Sequence, residues 1–219
     1  MTFPYYDRLS ARQKAIYRES DRVADLRVPD APALWSEVAR LGAALGEDSR
    51  AKVAAAAQAL SRALLEQLRV PPLTIKVLAV RPSRSWGELH GLYTSGEDSP
   101  AEIRLWMRTA RHRKVVAFRT FLRTLLHEIC HHLDYQALRL GDSYHTEGFF
   151  RRESSLFRQL VPESRPSVAG ATSPPAETRR AGGTAKRGGS PRTGQGPRRE
   201  SIRPESDRQR RLTFDDEGE

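Results

Sequence analysis

The chain has 219 residues, 37 Lys and Arg against 27 Asp and Glu, a formal net charge of +10 and a single cysteine. One cysteine excludes a disulfide framework within the chain and suits a reducing cytoplasm. No apolar run approaches the ~20 residues of a membrane span, and the start, Met1-Thr2-Phe3-Pro4-Tyr5-Tyr6-Asp7, lacks the charged and apolar regions of a secretory signal.

Helical periodicity runs over residues 5–26 and 34–45, with Pro29 and Pro32 breaking the chain between them. Residues 49–70, rich in alanine and leucine, predict a third helix. These helices carry no recognisable chemistry, and bundle-like packing against the rest of the domain is expected. Tyr5, Tyr6 and Trp35 read as core aromatics rather than interaction residues. After the Pro71-Pro72 stop, residues 73–80 are β-branched enough to form a strand. Residues 89–94 and 102–107 predict two more, separated by the turn formers Ser95-Gly96-Glu97-Asp98-Ser99-Pro100. Ile103, Leu105 and Met107 alternate with Arg104, Trp106 and Arg108, which buries one face and leaves the other wet.

The next segment, residues 115–140, repeats apolar side chains at Phe118, Leu122, Leu125, Ile129 and Leu133, one helical stripe. Counting ~100° per residue, His127 and His131 fall on the opposite side. Four residues apart on a helix, they can aim two imidazoles at one cation, and Glu128 projects from the same turn towards a metal-bound water. His127-Glu128-Ile129-Cys130-His131 is therefore the first half of a mononuclear zinc hydrolase site. A catalytic zinc keeps three protein ligands and one open position, so a third donor is required. In the H-E-x-x-H-x-x-G-x-x-H variant the glycine and third histidine would fall on Asp134 and Ala137, which excludes it. Gly141 and Asp142 form a turn that lets the chain fold back, and His145 is the favoured third ligand, with Glu147 and Glu153 as competitors. Asp134 is a candidate acceptor for a ligand imidazole N–H. Tyr144 is either an oxyanion donor or structural. His132 reads as a packed, satisfied histidine, and Cys130 as a small buried hydrophobe.

Three strands, a long H-E-x-x-H helix, a short return and His145-Thr146-Glu147-Gly148-Phe149 opening another helix resemble the SprT-like zinc metallopeptidases, a minimal zincin group. The resemblance covers residues 71–161. In that family the third ligand is a histidine followed four residues later by an aromatic, here His145 and Phe149. The resemblance implies an α+β, zincin-like domain with a small mixed sheet, preceded by the N-terminal helices. It implies zinc held by His127, His131 and His145, Glu128 as the base, and peptide-bond hydrolysis in DNA-bound or DNA-crosslinked proteins. The zinc ribbon of many family members is missing, since the chain has one cysteine, and that weakens the DNA-linked role. In zincins the last strand before the metal helix, here residues 102–107, is commonly the edge along which a peptide substrate lies. A plain paired strand is the alternative.

Residues 1–161 thus predict one ordered domain with its core at 71–161. Residues 162–219 predict a disordered basic tail, too poor in large apolar groups to offset its ordering entropy. The excess positive charge points to an anionic partner, with nucleic acid the usual candidate. Arg104, Arg108, Arg111, His112, Arg113, Lys114, Arg119 and Arg123 crowd the approach to the metal helix and could meet DNA, with a compositional bias to arginine as the blander alternative. Near the end of the tail, Gln209, Leu212 and Phe214 form a Q-x-x-L-x-F pattern that resembles peptides docking on the bacterial sliding clamp. The competing class of function is a non-catalytic binding or adaptor protein whose zincin fold keeps a structural metal. An intact Glu128 favours the enzyme, because a structural site has no use for a base.

Overall fold

A computed structural model of the chain describes residues 3–84, 87–96 and 100–161. Ser10 starts the first helix: its hydroxyl accepts the Gln13 N–H while the Gln13 side chain accepts the Ser10 N–H, a capping box. Helix α1 therefore covers Ala11–Arg22, shorter than the periodicity over 5–26 suggests, and Tyr6–Arg8 form a separate 3-10 turn before it. Helix α2 (Trp35–Gly46) follows a 3-10 turn capped by Asp30, and α3 (Arg50–Gln67) is capped by Ser49, which accepts the Lys52 N–H.

Strand β1 (Thr74–Val80) comes next, then β2 (Ser83–Arg84) and β3 (Gly87–Glu88), which pair antiparallel, then β4 (Gly91–Thr94) and β5 (Glu102–Arg108). Strands β1, β5 and β4 form a three-stranded mixed sheet in that order. β5 runs parallel to β1, with Ile75 opposite Ile103, and antiparallel to β4, with Gly91 opposite Leu105. This order corrects the expectation that residues 102–107 form the sheet edge. β5 is paired on both sides, the plain-strand alternative, and the edges among the described residues are β1 and β4.

Helix α4 (Phe118–Gln136) and helix α5 (Glu147–Leu160) complete the α+β domain, so the described residues hold five α-helices and this small sheet. α4 ends four residues before the expected boundary at 140, because the Leu138 N–H turns back to the Leu133 carbonyl at 2.9 Å and Arg139 takes a positive φ of 54°. The N-terminal helices do not form one bundle. α2 packs on α3, α3 lies on β1, and α1 lies against α5.

The core sits between α3, α4 and one sheet face. Ile103, Leu105 and Met107 of β5 are buried with Leu60, Leu64, Leu125 and Ile129. Leu60 and Leu125 are fully buried, and truncating either to alanine is expected to cost ~2–5 kcal/mol. The opposite sheet face is not uniformly wet, since Trp106 is buried in a second cluster with Leu89 and Leu92. Trp35, taken as a core aromatic, is 42 % exposed with its indole N–H on the Gln159 carbonyl at 3.1 Å. No helix among the described residues is long and apolar enough to cross a membrane. The tail from 162 onward, including Gln209, Leu212 and Phe214, lies outside the described residues.

Candidate metal centre

Every residue of α4 from Thr124 to Asp134 is buried, so both the core face and the face carrying His127 and His131 are covered by protein. His127 and His131 are one helical turn apart on it, and the chain after the helix returns over them through residues 137–146. Thr146 caps α5 by accepting the Phe149 N–H at 2.9 Å, which fixes His145 one residue before a helix start.

The three imidazoles converge. His145 Nε2 lies 3.0 Å from His127 Nε2 and 3.2 Å from His131 Nε2. Nitrogens bound to one tetrahedral zinc at ~2.0–2.1 Å stand about 3.3 Å apart. Among the described residues, His127, His131 and His145 form the group able to hold a metal ion.

The far sides of the rings fix which nitrogens face the convergence point. His127 Nδ1 donates to Glu153 Oε2 at 3.0 Å, and a carboxylate can only accept. His131 Nδ1 donates to Ser143 Oγ at 2.7 Å, because the Ser143 hydroxyl gives its own proton to Asp134 Oδ2 at 2.7 Å. With both Nδ1 atoms protonated, the neutral His127 and His131 rings each present a lone pair at Nε2. His145 Nε2 carries at most one proton, so at least one close Nε2 contact has no hydrogen between its nitrogens. A cation at the convergence point removes that repulsion.

Sequence-derived roles are redistributed accordingly. Glu153, a competing ligand, stands behind His127 and orients it. Glu147 sits at the exposed start of α5, paired with Arg151, away from the cluster. Asp134 reaches His131 through the hydroxyl of Ser143, a residue the sequence did not mark. Tyr144 is fully buried, its ring 6.2 Å from that of Tyr17, which favours the structural reading over the oxyanion donor. His132 accepts from Tyr93 Oη at Nδ1 (3.1 Å) and donates from Nε2 to the Pro71 carbonyl (2.8 Å), a satisfied histidine as expected. Cys130 is buried, and burial holds its thiol well above the usual range.

Glu128 is 2 % exposed and lies flat against β4. A Cβ at residue 91 would stand 2.8 Å from Glu128 Cγ and overlap the carboxylate, so any larger residue there requires Glu128 to shift. Burial pushes the Glu128 carboxyl up to about 8, against the opposing hydrogen bond from the Tyr93 backbone N–H. Neither Gly91 nor the Tyr93 amide was singled out from sequence; a glycine within a strand pattern is the signal that marks such a close approach.

No family model matches the chain, and neither a curated protein nor a solved structure is significantly similar to it.

Proposed function

We propose that the chain is a zinc-dependent metallopeptidase of the zincin type, akin to the SprT-like enzymes, acting in the cytoplasm. The observation that carries this reading is a three-imidazole cluster with a carboxylate one residue after its first ligand. Three imidazoles are a donor set that suits zinc, and they leave a fourth position open. A zinc ion held by His127, His131 and His145 would supply Lewis acidity at that point.

The remaining work falls to the chain's own side chains. Glu128 accepts the proton of the attacking water and passes it to the leaving amine, a role that contributes ~10²–10⁴-fold. Glu153 and Ser143 hold the Nδ1 protons of His127 and His131, which fixes the tautomers and keeps both Nε2 lone pairs aimed at one point. The edge strand β4, against which Glu128 rests, offers backbone groups to an extended peptide, a mode of binding largely independent of sequence. This fits a protein or peptide substrate.

DNA-bound or DNA-crosslinked proteins are the substrate class to test first. Arg104, Arg108 and Arg123 of the basic cluster are each paired with a carboxylate, on Glu102, Asp48 and Glu153. Arg111, Arg113 and Lys114 are exposed on the turn between β5 and α4 and supply the phosphate affinity.

A casein-cleavage assay with and without DNA, run beside Glu128→Gln and paired with metal analysis, tests the reading. The wild type should hold one zinc per chain and cleave. Glu128→Gln should keep its zinc and lose cleavage, and hydrolysis at the wild-type rate in that variant would sink the mechanism. Zinc binding by an inert wild type would instead assign the site to a structural metal in a binding protein.

A further inference from the structure

The N-terminal segment from Tyr5 through α1, which carries no recognisable chemistry of its own, touches the segment bearing the third histidine at several independent points. Tyr5 Oη donates to the backbone carbonyl of His145 itself at 2.7 Å. Asp21 Oδ1 accepts the Gly148 N–H at 2.8 Å, placing a carboxylate in the first turn of α5, where the helix dipole favours it. The two backbones are in close contact there: a Cβ at residue 148 would stand 2.8 Å from the Asp21 carbonyl carbon.

The same helix end meets the other side of the site through Arg152. This side chain is fully buried, as is Asp134, and the two pair at 2.7 Å. Arg152 also donates to the Ser20 carbonyl at 2.6 Å, which accepts the Val23 N–H as well, and to the Val23 carbonyl just past the end of α1. Asp134 in turn accepts from Ser143, which receives the His131 Nδ1 proton. Two routes therefore lead from α1 to the imidazole cluster, one ending on His145 and one on His131.

We propose that α1 and the turn before it are a positioning element of the metal centre, with Tyr5 and Asp21 setting where His145 stands. The inference rests on the metal-site reading and extends it to residues more than a hundred positions away in sequence. Its physical basis is that His145 sits on a return with no regular structure of its own, between the end of α4 and the start of α5. Held only by that return, Nε2 would sample a range of positions wider than a metal bond tolerates. Hydrogen bonds to its own carbonyl and to the following helix turn reduce that freedom before the ion arrives, so less ordering is left to oppose binding.

The test measures zinc affinity by chelator competition in the full chain for wild type, Tyr5→Phe, Asp21→Ala and Asp21→Asn. Cobalt(II) absorption and thermal unfolding of the metal-free forms are recorded beside it. Tyr5→Phe and Asp21→Ala should each weaken zinc by ~10–100-fold, the range seen when partners of metal ligands are removed, with altered cobalt bands. Metal-free melting temperatures should change little. Asp21→Asn keeps an oxygen acceptor for the Gly148 N–H and should bind nearly as the wild type does. If the wild type binds zinc and both substitutions leave affinity and spectrum unchanged, the positioning role is overturned while the metal centre stands. Equal loss in the Asn and Ala variants, or loss matched by unfolding of the metal-free protein, also overturns it. A wild type that binds no zinc removes the metal centre together with the inference.

Discussion

Glu153 Oε2 lies 3.0 Å from His127 Nδ1, on the side of the ring away from the convergence point of the three Nε2 atoms. From there it sets which nitrogen keeps the proton without reaching the place where an ion would sit. Glu153→Ala should therefore weaken zinc by ~10–100-fold while leaving one zinc per chain at saturating metal. His145→Ala should lower stoichiometry under the same conditions, and Glu147→Ala should change nothing. Metal titration of the three variants separates orienting from ligating, and loss of stoichiometry in Glu153→Ala alone would make that carboxylate the third ligand.

Gly91→Ala should act on Glu128, the proposed base, without touching His127, His131 or His145. A methyl group at that position displaces the Glu128 carboxylate from β4. Peptidase activity is expected to fall ~10²-fold or more, within the range for loss of a general base, while zinc stoichiometry is kept. Full activity in the alanine variant would mean that the observed Glu128 position is not the one used in catalysis.

The pH dependence of stability follows from the same side chain. The folded, metal-free protein holds Glu128 protonated up to about 8, whereas its ordinary value is 4.5. Between those values the folded state binds the proton that the unfolded chain has released, so stability falls as pH rises across the window. Glu128→Gln removes this contribution and should stabilise the metal-free chain by roughly 3 kcal/mol at pH 7. Denaturant unfolding in chelator at pH 5 and pH 7 measures it. An equal effect of the substitution at both pH values would show that the carboxylate does not titrate in this range.

Arg152 and Asp134 should behave as a unit. Removing one charge leaves the other buried and uncompensated, so Arg152→Met is expected to cost ~3–5 kcal/mol. Burial holds the Asp134 carboxyl up at about 6 in spite of Arg152 beside it, which shows how costly the environment is for a charge. The double variant Asp134→Asn/Arg152→Met should be destabilised by much less than the two single changes added together. Strict additivity in a denaturation cycle would mean that the two side chains act separately.

The legible part of the site is the part that local geometry encodes. His127, Glu128 and His131 follow from the helical repeat, and His145 from a turn and a helix start a few residues later. Their supports were not legible to the same degree. Ser143 and Glu153 act from outside the motif, and Asp21 and Tyr5 meet the return from the other end of the domain, so no periodic pattern announces them. The strands were visible from alternation, but their order was not. Each strand's pattern says which face is buried and nothing about its neighbours, and that is how β5, expected at the edge, lies between β1 and β4. The α4 boundary was overrun because residues 137–140 keep apolar side chains after the backbone has turned out of the helix.

The buried Arg152 also bears on synthesis. Its partners are Asp134, the Ser20 hydroxyl and the carbonyls of Ser20 and Val23, so the shell around the imidazoles joins segments made near the start and near the end of the described residues. A ribosome that has extruded the H-E-x-x-H helix has not yet delivered His145, Glu153 or Arg152. Up to that moment the emerging polypeptide carries the signature of a hydrolase without its grip on an ion. A chain stalled before α5 should therefore bind zinc far more weakly than the full chain, which metal titration of a ribosome-stalled or truncated product would measure.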